Sequence, residues 1–432
     1  MSLPPRRYSV YRADRERRRR QVRRRRIALV AVVLAAAAAV AAVILAGGHD
    51  QGGGTSANAA QASSSPSPKA SPSASHSPSP SPSASPSPAR YTAWTGPPSY
   101  TLSMHLATTI GGSISPKSVV ATQTGYVFAQ NMMYTHTITV YSAKTEKLVK
   151  TISDRVTLAD YGFPAYPSSV QGAPVEAACS PDGTYMYISN YSMYGPGFSH
   201  QGDDVCAPGT GIDDSYVYRV RLSDLHIDQI IRVGAVPKFV ATTPDGRYLL
   251  VSNWCSYSLS VVDTARGKQI RQIYLGPYPR GIAVDSHSRY AYVAVMGGAK
   301  IAKIDLRTFH LSWFTNVGIT PRHLVISPDD RWLYISLNAP GAVAKLDLRT
   351  GAVVRTVTTG VEDRSMTIAP DGKSLYVVNY ESNTVSKVRA ADLHILQTVS
   401  TGWHPIGITY DAATKAVWVA CYGGQIMVFK ER

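Results

Sequence analysis

Between Lys238 and Gly276 the chain reads as four short runs of alternating apolar and polar positions: KFVATT, RYLLVSN, LSVVDT and QIRQIYLG. Pro, Asp and Gly mark the breaks, as in PDG and ARGK. Period-two alternation bounded by turn residues predicts β-strands. No stretch after Gly47 holds a 3.6-residue apolar period over three turns, so no helix is predicted there.

The unit recurs every 42 residues. Gly234, Gly276, Gly318, Gly360 and Gly402 keep this period, as do Tyr248, Tyr290, Trp332, Ser374 and Ala416. Two earlier copies, at Tyr185 and Tyr126, are spaced by 63 and 59 residues and so carry insertions of 21 and 17 residues. The first is SDRVTLADYGFPAYPSSVQGAPVEAAC, between units one and two; the second is NYSMYGPGFSHQGDDVCAPGTGIDDSYVY, within unit two. Seven units of four strands each predict an all-β, seven-bladed propeller, because a single unit cannot bury its own faces. The last unit lacks its fourth strand, and a spare strand, YTLSMHLATTIGG, precedes the first unit. The N-terminal strand is therefore expected to complete the last blade and remove the open edge.

TPDGRYLLVSN, LSVVDTARG and APDGKSLYVVN resemble the YVTN-repeat β-propellers of bacteria over roughly residues 100–430. That resemblance implies a seven-bladed, often extracytoplasmic domain, distantly similar to lactonase-type propellers. The sequence departs from the pattern at Val295 and Leu337, where the repeat's asparagine is replaced.

The formal net charge is +16, but residues 1–26 hold twelve arginines against Asp14 and Glu16. The remainder is only mildly basic and has no nucleic-acid-reading motif, so no nucleic-acid partner is expected. The arginines precede Ile27–Ala46, 20 residues without a charge, a length that spans a bilayer of ~30 Å as a helix with the arginines inside. A cleaved signal peptide ending near Ala57–Ala59 is the alternative. Ser63–Pro88 is Ser/Pro-rich and expected to stay extended. The expected organisation is a basic cytoplasmic tail (1–26), a transmembrane helix (27–46), an extracytoplasmic linker (47–90) and the propeller (91–432). This predicts a single-pass cell-membrane protein with the propeller outside.

In an up-and-down blade the first strand begins on the face where the second ends. Lys238, Arg280, Arg322 and Arg364 open the inner strands of four consecutive units and are expected at one mouth of the channel. They either pair with neighbouring carboxylates or converge on an anionic ligand. Asn131, Asn190, Asn253 and Asn379 end second strands, followed by Met132, Tyr191, Trp254, Tyr380 and Tyr422. The asparagines either close their own loops or donate to a ligand. The aromatics suit sugar rings and peptides. Both insertions fall on this face, and the second offers His200, Asp203, Asp204, Asp213 and Asp214 as weak cation ligands without calcium-loop spacing.

Cys206 and Cys255 occupy corresponding loops of adjacent blades and are the expected disulfide, whereas Cys179 is expected to be buried. No Cys-x-x-Cys, GxSxG, phosphate loop or HExxH is present, and no cofactor is expected. The favoured function is a binding module for a cell-envelope glycan, peptide or protein. The alternative is a lactonase-like hydrolase or streptogramin-lyase-like enzyme, with Glu176 and His323 as the acid–base candidates.

Overall fold

The computed structural model describes Trp94, residues 96–122 and residues 124–432. The basic tail, the apolar span and the linker expected over 1–90 lie outside the described residues. Among the described residues no helix is long and apolar enough to cross a membrane.

Seven antiparallel four-stranded sheets form the domain. Blade 3 is representative: Pro237–Thr242, Tyr248–Asn253, Ser258–Asp263 and Lys268–Tyr274, from the innermost strand outwards. Inner strands open at Ser118, Pro174, Pro237, Pro279, Pro321, Asp363 and Pro405. Each contacts the next in this order, and the seventh contacts the first, so the ring closes. The seventh blade is Pro405–Asp411, Ala416–Cys421 and Gln425–Glu431, completed by Met104–Ile110 pairing with the last of these.

Burial follows from the stacking. Second strands are sandwiched between blades and read as near-continuous apolar runs; in YLLVSN all six residues are buried. Outer strands meet solvent, and KQIRQIY is almost wholly exposed. Core clusters lie between neighbouring blades, as where Leu250, Leu259 and Val261 of blade 3 pack on Ala291, Val293 and Ile304 of blade 4.

The chain ends are joined by more than backbone pairing. Lys387 of blade 6, fully buried, donates from Nζ to Ser99 O (2.7 Å) and Leu102 O (2.8 Å) and pairs with the Glu431 carboxylate. Glu431 also accepts from Tyr376 (2.6 Å) and Tyr410 (2.9 Å). This buried network holds the segment before the closing strand against blades 6 and 7.

Candidate functional site

The links between blades build one mouth of the channel. In five consecutive links the residue before the inner strand is left-handed without being glycine: Val236 (φ 56°), Tyr278 (62°), Thr320 (50°), Glu362 (58°) and His404 (53°). Such a backbone costs on the order of 1–3 kcal/mol per residue and persists only where the surroundings impose it. The next residue pairs with the end of the second strand, as Pro237 does with Asn253 and Pro321 with Leu337. The register then breaks, so Lys238, Arg280, Arg322 and Arg364 all fall in β-bulges. A bulge turns a residue out of the ladder. GPYPRG thus encodes a glycine, a left-handed tyrosine, a proline and a bulged arginine.

Four blades bring these cations close enough to perturb one another, and a fifth cation joins them. Lys117 of blade 1, in SPKSVV, occupies the same position and was not anticipated; the interrupted period of the first units hid it. Its preceding proline was the available signal. Lys117, Lys238, Arg280 and Arg322 are each only 5–6% exposed. Burial, then repulsion from Arg280, pushes Lys117 well below the usual lysine range. Burial likewise lowers Lys238 to about 8, against the pull of Asp204. Burial and the repulsion of Arg280 and Arg364 push Arg322 in the same direction, and Arg280 is lowered chiefly by burial. A guanidinium keeps its proton at neutral pH, so in the arginines this cost remains as repulsion.

Among the described residues three carboxylates pair with the five cations. Glu176 lies 4.0 Å from Lys117, Asp204 2.9 Å from Lys238 and Glu362 2.7 Å from Arg364. Burial raises the Glu176 pKa despite these neighbours, so desolvation outweighs the pair's attraction. Lys238, by contrast, holds the Asp204 carboxyl well below its ordinary range.

Aromatic faces ring the cations. Lys238 Nζ sits 4.6 Å from the ring centroids of both Tyr191 and Trp254. Arg364 lies 3.9 Å from the Tyr380 ring, which stacks on His404 (4.1 Å), which stacks on the exposed Trp403 (3.7 Å). Tyr422 is half-buried and meets Tyr380 edge-on at 6.0 Å. Tyr380 itself is fully buried, so its role here is to support Arg364 rather than to offer an open face.

The Cytochrome D1 heme domain family matches residues 323–417 of this chain. A solved chain of Kuenenia stuttgartiensis hydrazine synthase superposes with a TM-score of 0.58 at 17% identity, over 74% of this chain and 97% of that one. No curated protein matches the sequence. Together these likenesses support a seven-bladed propeller; at this identity they carry the fold alone.

The asparagines need correction as ligand contacts. Asn190, Asn253 and Asn379 are completely buried. Asn253 donates to Ser258 (3.2 Å) and Ser260 (2.8 Å), and Asn379 to Thr384 and Ser386 (both 2.9 Å). Asn131 likewise reaches Thr137 and Thr139, while Asn190 donates to the Tyr216 carbonyl (3.2 Å). The amide therefore ties second strand to third. Where Val295 and Leu337 replace it, the facing positions are not a Ser/Thr pair but Lys300 and Ala302, and Ala342 and Ala344. The repeat glycine belongs to this packing: a Cβ on Gly234 would lie 2.9 Å from Asn253 Cγ, and one on Gly360 2.5 Å from Asn379 Cβ.

The weak cation ligands do not converge either. Among the described residues no group of three His, Cys, Asp or Glu could hold a metal ion. Asp204 is on Lys238, Asp203 closes a turn on Val205 N (2.6 Å), and the exposed His200 donates its backbone N–H to Asp213 (2.8 Å). Asp214 pairs with Arg232. Cys206 and Cys255 form a disulfide with Cα atoms 5.2 Å apart, bolting the blade 2 insertion onto blade 3; Cys179, expected to be buried, is half-buried. Glu176 and His323 stand on blades 2 and 5 without a mutual contact among the described residues. His323 is packed edge-on against Phe239 at 5.0 Å, and burial lowers it to about 3, leaving a weak proton acceptor at neutral pH.

Proposed function

We propose that this chain is a membrane-tethered, extracytoplasmic binding propeller of the YVTN-repeat type. Its looped face takes an anionic cell-envelope ligand at the channel mouth. One observation carries this reading: among the described residues five cations at the inner strands meet three carboxylates, in a setting that costs four of the cations most of their solvation. Preorganised cations of this kind favour an incoming anion, because much of the desolvation has been met during folding. The exposed Trp403, continuous with Arg364 through stacked rings, supplies a flat apolar surface beside the charge.

The Cytochrome D1 description names a heme, and the mouth does not fit one. Lys117, Lys238, Arg280 and Arg322 are 5–6% exposed, which leaves them little open surface to line a tetrapyrrole. Of the two histidines here, His323 is turned onto Phe239 amid three repelling cations, and His404 is stacked between Tyr380 and Trp403. No step is therefore derived through a heme.

The test is binding of phosphate- and carboxylate-bearing cell-envelope fragments to the full-length chain in detergent, against neutral fragments of the same size. Salt-sensitive binding of the anionic set, weakened by Arg364→Ala, is expected. Equal binding of the neutral set, or an Arg364→Ala variant with unchanged affinity for every fragment, overturns the reading.

A further inference from the structure

Taking the mouth as an anion site, as above, the pairing of its cations locates the anion. Lys117, Lys238 and Arg364 each have a carboxylate neighbour. Among the described residues Arg280 and Arg322 make no ion pair; Arg322 Nε, like Arg364 Nε, is a buried donor without an acceptor, but Arg364 has Glu362 beside it. A buried donor left unmatched is expensive, which makes this the part of the mouth with most to gain from a ligand. The two arginines open the inner strands of adjacent blades 4 and 5. Gly281 allows those strands to approach: a Cβ there would lie 2.7 Å from His323 Cα and 2.8 Å from Arg322 O. Two bulged arginines are thereby held on adjacent inner strands, close enough for their charges to repel.

We propose that Arg280 and Arg322 seat a single oxyanion group of the ligand, a carboxylate or a phosphate, at the junction of blades 4 and 5. Planar guanidinium forks match both groups in a bidentate manner. The same mouth already shows a carboxylate on a bulged cation, since Asp204 reaches Lys238 at 2.9 Å between two aromatic faces. The ligand's oxyanion takes the equivalent place two positions round the ring. Tight burial of both arginines restricts the seat to one small group and keeps a polyanion's remaining charges outside the channel.

The experiment is calorimetric titration of the full-length chain at low ionic strength with inorganic phosphate and, separately, acetate. Arg280→Gln, Arg322→Gln and Lys238→Gln are titrated alongside. Binding of either anion is expected, with affinity falling about tenfold to a hundredfold in each arginine variant and far less in Lys238→Gln. Preference for phosphate or for acetate tells a phosphate-bearing source from a carboxylate-bearing one. Each arginine variant is also melted without ligand; removing a repelling charge should leave the melting temperature equal or higher. Should a Gln variant fail to fold, Arg322→Lys replaces it, and loss of affinity with the charge retained points to the guanidinium fork. Anion binding that survives both arginine variants but is lost in Lys238→Gln overturns the seat while leaving the anion-binding mouth intact. Absence of binding by both small anions and envelope fragments overturns the two together.

Discussion

Replacing Lys387 by Met tests whether the buried network at the chain ends holds the ring shut. The substitution keeps an unbranched side chain one heavy atom shorter and removes its charge. Ser99 O and Leu102 O lose their donor, and Glu431 is left without its cation, 0% exposed like Lys387 itself. Breaking a buried ion pair from one side costs about 3–5 kcal/mol. The two tyrosines that still donate to Glu431 keep the expected loss at the lower end, about 3 kcal/mol. Removing both charges, as in Lys387→Met with Glu431→Gln, should recover a large part of it, because no isolated charge remains. The assay is urea unfolding of the wild type, both single variants and the double variant, with hydrogen exchange of Met104–Ile110 as a local readout. That strand should exchange faster in Lys387→Met, since its lead-in is held by this lysine. A loss below about 1 kcal/mol, or strictly additive single variants, would refute the reasoning.

Two further perturbations follow from the mouth. Asp363 stands where other blades have proline; it is fully buried, accepts from Thr359 at 2.5 Å and has a second oxygen without a partner. Burial raises it to about 7, above an unfolded value of ~3.9, so its stabilising contribution is complete below about pH 4 and is lost as pH rises through 7. Asp363→Asn should therefore raise stability at pH 8 by up to about 4 kcal/mol and leave it nearly unchanged at pH 4, read as melting temperature against pH; parallel pH profiles for the two proteins would contradict this. Cys206→Ser opens a loop closed across a separation of 49 residues, for which chain entropy predicts a loss of at most about 4 kcal/mol; equal melting temperatures for wild type and variant under oxidising conditions would show the insertion is held by other contacts.

The site was less legible than the fold, and particular residues show why. Lys238, Arg280, Arg322 and Arg364 could be placed at one mouth from their shared position in the repeat. Their bulges and left-handed lead-ins could not, because Val236 and Thr320 are residues that ordinarily avoid that conformation. Lys117 was overlooked because the insertions shift blade 1 off the period. The asparagines misled because polar residues at a loop edge suit exposure and burial equally. Ser258 with Ser260 and Thr384 with Ser386 were the readable sign of burial, one strand further on.

What the sequence determined by itself is the architecture. A 42-residue period of four alternating strands leaves each unit with faces only a copy of itself can cover, and a missing last strand with a spare first one leaves one way to close. Which cations are compensated was decided only by the tertiary structure. Asp204 reaches Lys238 from an insertion in the preceding blade, and Glu362 reaches Arg364 from a left-handed link. Arg280 and Arg322, alike in sequence, have no ion pair among the described residues. Charge balance inside a channel depends on distances between separate blades, and those are fixed by packing round the ring rather than by any local run of residues.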